Sequence, residues 1–359
     1  MNFKRGLALL ISVLLLFSLV PTAAAAEEAE EEEAVRYSGL MSADAALLRD
    51  SKVYLGRDNS GSLLWRVVLN ETNTGSADGR LLLSDDLMGG TMVWEEAKNF
   101  VTSVYDTCFT PGEQAAILST NKTDAYYIAK NQYHFAVTEL EGAHTFMLSA
   151  EEADNYFTGD NDRKPGYWWL RNLFGGHWDY AGIVYGFGYI ADQNIFYGDG
   201  YSTRPAFNLD LSPILFASAV EGGKGDADGQ FHRIASDVEP IWKLTLPDSE
   251  ARAGFRVVPA AGKLHAAEGY DAWRLAFSYT GAPSGEGECV SALLLSEAGD
   301  ALCYASAPSE GSGFLTLSFP RELPAGSYTL ELFSERQSGG VDPDYASSPI
   351  PFTLTVNAA

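Results

Sequence analysis

Tyr167-Trp-Trp-Leu-Arg171 and Ser202-Thr-Arg-Pro-Ala-Phe-Asn-Leu209 bracket the stretch on which the reading of this chain turns. Between them run Asn172-Leu-Phe-Gly-Gly-His-Trp-Asp-Tyr180, Ala181-Gly-Ile-Val-Tyr-Gly-Phe-Gly-Tyr-Ile190 and Ala191-Asp-Gln-Asn-Ile-Phe-Tyr-Gly-Asp-Gly-Tyr201. Rigid aromatics supply contact area at low entropic cost, while Asn, Asp and Gly supply adaptable polar contacts, which is the composition of a binding surface. Ile183, Tyr185, Phe187 and Tyr189 alternate with Val184, Gly186, Gly188 and Ile190, the period of a strand. Asp192-Gln-Asn194 then reads as a turn, and residues 195–201 as a returning strand.

Working outward, residues 63–69 and 80–84 read as two strands of a hairpin around a loop rich in Gly, Asn and Asp. Val93, Trp94, Ala97, Val101 and Val104 have the spacing of one helix face, with Thr91 as the candidate N-cap. A short helix follows Thr110, with Pro111 suited to its first position, and continues to Leu118. Residues 145–149 read as a strand, and Ser149 caps a second short helix with Glu151 and Glu152 in its first turn. Short helices among many irregular strands predict an α+β domain over residues 37–247. Residues 251–357 hold seven short alternating segments, at 255–258, 273–279, 290–295, 301–304, 314–319, 327–333 and 351–356, each bounded by Gly, Pro, Ser or Asp. That rhythm predicts an all-β immunoglobulin-like sandwich.

The N-terminus reads as a secretory signal over residues 1–26: Lys4-Arg5, an apolar run over 7–20, then Pro21-Thr-Ala-Ala-Ala-Ala26. An acidic linker over 27–36 follows, where the glutamates repel one another. The expectation is a secreted or surface-associated chain with no membrane insertion after signal cleavage. The formal net charge of −24 excludes nucleic acid as a partner, since phosphate binding needs clustered Lys and Arg. Of the three cysteines, Cys108 reads as a buried small hydrophobe; Cys289 and Cys303 flank a hairpin and could form one disulfide in an oxidising compartment, although its turn at 297–300 does not set them opposite each other.

The motifs Phe146-Met-Leu-Ser-Ala-Glu-Glu152, Tyr167-Trp-Trp-Leu-Arg171 and Arg204-Pro-Ala-Phe-Asn-Leu209, with Trp65-Arg-Val and Leu81-Leu-Leu-Ser84 before them, resemble a domain family of unknown function. That family occurs in secreted proteins of Gram-positive gut bacteria and carries a Trp-Trp-Leu-Arg-Ser … Val-Arg-Pro-Ala signature. The chain departs from it at Asn172-Leu-Phe, where members often read Ser-Pro-Gly. The resemblance implies a C-type-lectin-like architecture, related to the formylglycine-generating enzymes, with the segment between the signatures as its binding face and an immunoglobulin-like domain after it. Trp168, Trp169, Arg171, Arg204 and Pro205 are then the structural signature. The two tryptophans are expected in the core, and the two arginines are expected to pair with buried carboxylates.

His177, Trp178, Asp179, Tyr180, Asp192, Asn194, Tyr197, Asp199 and Tyr201 fall at expected loops and turns, where ligand contact concentrates. Tyr185 and Tyr189 join them as candidate ligand-binding residues, although their alternation, like that of Phe187, suits core packing equally well. Catalysis finds little support. The five histidines show no metal-ligand spacing, no Gly-x-Ser-x-Gly or His-Glu-x-x-His motif is present, and the first domain holds one cysteine where an oxidase of the related fold needs two. No cofactor is expected. Calcium is the one metal weighed, at Asp160-Asn-Asp162 and Asp226-Ala-Asp-Gly229, which complete no known loop pattern. The expectation is a non-enzymatic recognition and adhesion protein for an extracellular glycan or protein ligand. A structural cell-envelope protein is the alternative, and a hydrolase of unknown type stands third.

Overall fold

The computed structural model describes residues 51–234, 241–248, 250–260, 265–266, 272–320 and 323–356. The expected signal peptide and acidic linker lie outside the described residues. Among those described, 23 strands stand against three α-helices: α1 (Trp94–Cys108), α2 (Pro111–Gln114) and α3 (Ala150–Asn155). This overturns the α+β, C-type-lectin-like expectation for the first half; the molecule is mostly β. The expected helices are short, and the chain between them pairs into ladders. The segment after Gln114 leaves the helix at once, and Ile117 bridges Leu209. Thr120–Asp124, a polar segment, pairs antiparallel with Thr138–Ala143. Such strands are held by their ladder and neighbours, and local propensity does not announce them.

The hairpin expected over 63–84 forms between Gly61–Leu69 and Gly79–Ser84. Leu63, Trp65 and Val67 alternate inward. Every residue of Gly79–Ser84 is buried, because Leu82 packs into one core and Leu81 and Leu83 into another. In α1, Trp94, Ala97, Val101 and Val104 form the buried stripe that the spacing predicts. Its N-cap is Val93 in place of Thr91, two residues further on. Ser149 caps α3 as expected: its Oγ accepts from the Glu152 amide at 3.1 Å, and Glu152 Oε2 accepts from the Ser149 amide at 2.8 Å. Residues 145–149 form no strand; Phe146 makes a single bridge to Ala206.

Beyond residue 250 the seven expected strands all form, at Arg256–Pro259, Ala272–Thr280, Ser284–Leu295, Ala301–Glu310, Gly313–Pro320, Gly326–Arg336 and Ile350–Val356. They lie in two sheets packed over one core of residues such as Phe277, Leu317, Val290 and Leu332. One of those sheets continues into the first half. Its order is Ala206–Asp210, Gly79–Ser84, Gly61–Leu69, Lys52–Asp58, Ile241–Pro247, Asp344–Ala346, Gly326–Arg336, Ser284–Leu295, Ala301–Glu310 and His232–Arg233. Ile241–Pro247 joins the halves, parallel to Lys52–Asp58 on the N-terminal side and to Asp344–Ala346 on the C-terminal side. Cys289 faces Pro308 and Cys303 faces Leu294 across their hairpin, and no disulfide joins the two.

Candidate functional site

A separate five-stranded sheet carries the aromatic segment, in the order Ile190–Asn194, His177–Val184, Trp168–Phe174, His134–Phe135, Tyr127–Ile128. The Trp168–Phe174 strand anchors it. Trp168, Trp169 and Leu170 are fully buried, as expected for the two tryptophans. The indole N–H groups of Trp168 and Trp169 donate to the carbonyls of Arg163 at 3.2 Å and Met92 at 2.9 Å. Arg171 pairs with buried carboxylates, as expected. Its guanidinium binds Asp124, and its Nη1 reaches Glu152 Oε2 at 2.5 Å, while Lys122 Nζ sits 2.7 Å from Glu152 Oε1. Burial alone would raise the Glu152 pKa, but the two cations outweigh it and hold the carboxyl down at about 2. Arg204 differs from expectation. It binds backbone carbonyls, donating to Ser84 at 2.8 Å and Asp85 at 3.2 Å, and burial lowers its pKa to about 10. Pro205 is buried beside it, and its carbonyl accepts from the Ser84 amide at 2.8 Å.

The turns fall elsewhere than the alternation suggests. Tyr185-Gly-Phe-Gly-Tyr189 is a hairpin turn, closed by Tyr185 N to Tyr189 O at 2.9 Å, and Asp192-Gln-Asn194 lies in the strand that pairs back onto Tyr180–Gly182. Residues 195–201 form an irregular return with no strand. The reason lies in the glycines. Gly188 adopts a φ of +91°, and a Cβ there would overlap the Asp160 carbonyl; a Cβ on Gly186 would overlap the Tyr167 ring. A run of alternating Gly and aromatic residues mimics a strand's period while it supplies the freedom a turn needs.

The candidate residues therefore divide between the two ends of the His177–Val184 strand, roughly 23 Å apart at a strand's rise. At the turn end, Tyr189, Tyr185, Tyr167, Tyr201 and Tyr197 form a chain of rings, with centroid distances of 5.1, 5.0, 6.0 and 6.0 Å in that order. Tyr201 is 5% exposed and rests on Trp169, whereas Tyr197 is 50% exposed. Gln193 Nε2 donates to the Tyr201 hydroxyl at 3.0 Å. Desolvation, reinforced by the neighbouring Tyr185, pushes the Tyr167 and Tyr189 phenols up, so both keep their protons as donors at neutral pH. Asp199 is exposed in the same return.

At the opposite end, His177 stacks on Phe174 and meets Tyr180 edge-on. Trp178 stands 75% exposed, and Asp179 is half-buried, its carbonyl accepting from the Ile195 amide at 2.9 Å. Burial pushes the Asp192 carboxyl up, against a smaller opposing pull from His177. Asn194 faces Tyr180 across the ladder, and its Oδ1 accepts from the Phe196 amide at 3.0 Å.

The structure adds Phe196 and Tyr126 to the candidates and decides for exposure at Phe187, whose alternation suits core packing equally well. Phe196 is 67% exposed and Phe187 69% exposed, while Tyr126 lies beside Gly175 with its hydroxyl 2.6 Å from His134 Nδ1. The Phe196-Tyr197 pair carried a signal in its sequence. Tyr126 precedes, and His134 opens, a two-residue strand with no periodicity to mark it. Among the described residues, no group of three or more His, Cys, Asp or Glu is arranged to hold a metal. At the two acidic loops three carboxylates have partners: Asp160 pairs with Arg163, Asp162 accepts from Thr158, and Asp228 accepts from the Gln230 amide at 2.8 Å. Also among the described residues, no helix is long and apolar enough to cross a membrane. A scan against protein-family models finds no match to the chain, and a comparison with curated proteins finds none.

Proposed function

We propose that this is a secreted or surface-associated recognition protein, without catalysis of its own, which binds an extracellular carbohydrate or a protein epitope through the aromatic surface of residues 172–201. The observation that carries the reading is the outward placement of Trp178 on a strand, Phe187 on its turn and Phe196 and Tyr197 on the return, beside ladder residues, Ala181 to Val184, that are buried. Large aromatics left in water on a firm frame lose little entropy when a ligand covers them, and exposed aromatics along one hairpin suit an extended interaction surface. Protonated phenols and the Asp and Asn side chains between them suit hydroxyl-rich ligands.

Binding of the secreted chain to a glycan array, in calcium and in chelator, tests the reading. A selective hit that Trp178→Ala or Tyr197→Ala abolishes, with the thermal transition unmoved, is the expected result. A blank array together with no binding to extracellular protein extracts would favour the structural cell-envelope role. The chelator lane decides whether calcium takes part.

A further inference from the structure

A cavity of about 170 Å³ opens directly beside the tyrosine chain, with Tyr189 as one wall. Its floor is buried: Asp154, Phe157 and Arg163 come from α3 and the loop after it. Its rim is exposed and polar, formed by Lys130, Asn131 and Asp160. Cavities for drug-sized ligands run to roughly 300–1,000 Å³, so this one suits a single ring.

The charges in the lining are balanced internally. Lys130 Nζ donates to the Asp154 carbonyl at 2.6 Å and lies 3.7 Å from its carboxylate. The Arg163 guanidinium pairs with Asp160, donates to the Ala153 carbonyl at 3.0 Å and, through Nε, to the Gly188 carbonyl at 2.6 Å. Two cations and two carboxylates thus satisfy one another, and a charged ligand would meet no uncompensated counter-charge. What remains for a ligand is the aromatic surface of Tyr189 and Phe157 and spare hydrogen-bonding capacity on Lys130, on Asp160 and on Asn131, whose amide nitrogen also donates to the Ile190 carbonyl. Two aromatic side chains among several hydroxyl-binding groups match a molecule that carries both apolar C–H surface and hydroxyls. The Arg163–Gly188 bond also ties the cavity to the turn that carries Tyr185 and Tyr189.

We infer that this cavity is the end-group subsite of the recognition surface and holds one neutral sugar ring. The inference rests on the recognition reading above and adds to it the ligand's class and its anchoring point.

Gly159 gives a clean test. It lines the cavity, its φ of −175° is open to any residue, and a Cβ there meets nothing within 4 Å. Gly159→Leu therefore sets a bulky side chain at the cavity's edge without backbone strain, and Asn131→Ala removes one rim group together with its bond to the Ile190 carbonyl. The secreted chain is titrated with free glucose, galactose and N-acetylglucosamine, and with glucuronate and glucosamine as charged counterparts. Amide resonances of Gly159 and of the Asn131 side chain are followed by NMR. A saturable shift with a neutral sugar, at least tenfold tighter than with the charged ones and weakened at least tenfold by Gly159→Leu, is expected. Asn131→Ala is expected to weaken it several-fold, and Tyr197→Ala to leave it unchanged. No shift with any neutral sugar, tighter binding of a charged sugar, or undiminished binding by Gly159→Leu would overturn the inference. The two readings fail separately. An array hit lost with Tyr197→Ala but kept by Gly159→Leu refutes the subsite and leaves the surface standing. Sugar shifts at Gly159 with an array indifferent to Trp178 and Tyr197 keep the subsite and remove the wider surface.

Discussion

Single residues decide whether the aromatic surface exists at all. Gly188 sits at φ +91° with the Asp160 carbonyl where a Cβ would be, and its own carbonyl binds Arg163. A left-handed backbone costs an ordinary residue of order 1–3 kcal/mol, and the overlap adds to that. Gly188→Ala is expected to lower the melting temperature and to disorder the Tyr185–Tyr189 turn, seen as broadened tyrosine resonances; unchanged tyrosine spectra would count against the account. Arg171 acts at the same scale through charge. It and Lys122 hold Glu152, buried on α3, ionised far below its ordinary value. A carboxylate with a depressed folded pKa contributes stability that is present above its unfolded pKa, near 4.5, and is lost as pH falls toward about 2. Denaturation midpoints should therefore drop through that window, and Glu152→Gln should flatten the slope while lowering stability at neutral pH. Arg171→Met leaves two buried carboxylates, Asp124 and Glu152, with Lys122 as their one remaining cation, a loss of about 3–5 kcal/mol, measurable by urea unfolding.

At the level of elements, the hairpin from Trp168 to Asn194 separates support from display. Trp169 is fully buried on the strand that anchors the sheet, and Trp178 stands in water near the Gly175-Gly176 turn. Trp169→Ala should cost about 3–5 kcal/mol, as for other buried tryptophans, whereas Trp178→Ala should shift stability by no more than about 0.5 kcal/mol and act only on binding. Equal destabilisation by both would show that Trp178 is structural. The same hairpin shows what was legible in the sequence. Trp168-Trp-Leu read as core because three large apolar residues in a row leave no solvent face, and the seven later strands read correctly because each alternates between clear turn signals. The turn at 185–189 was read as a strand, since aromatic and glycine residues alternate there with a strand's period; the positive φ of Gly188 lies in the backbone and has no signature in side-chain pattern. The α+β expectation failed for a related reason. Segments such as Thr120-Asn-Lys-Thr-Asp124 are polar throughout, and only their pairing with distant chain makes them strands.

Across the whole molecule, the joint between the halves is the feature that periodicity cannot reveal, because it is made by parallel pairing between segments far apart in the chain. Ile241–Pro247 carries ladders to Lys52–Asp58, to Phe216–Ala219 and to Asp344–Ala346. Charges reinforce the joint. Lys224, in the loop after Phe216–Ala219, pairs with Glu335 and lies 2.7 Å from Asp344, which Lys243 meets at 2.8 Å. Lys224 Nζ also donates to Thr245 Oγ1 at 2.9 Å, and Tyr304 donates to Glu335 from the far side. A cut after residue 248 would leave two lysines buried on one fragment and their carboxylates on the other, and would bare both sides of a ladder. Uncompensated buried charge costs several kcal/mol per ion, and an open sheet edge invites aggregation. The fragments 27–248 and 249–359, expressed apart, are therefore expected to be aggregated or unfolded, while the intact chain melts in one calorimetric transition. Lys224→Met should lower that transition without splitting it. Two soluble fragments, each melting at the temperature of its own transition in the intact chain, would mean that the shared sheet joins two independent domains and that the aromatic surface can be studied on the first half alone.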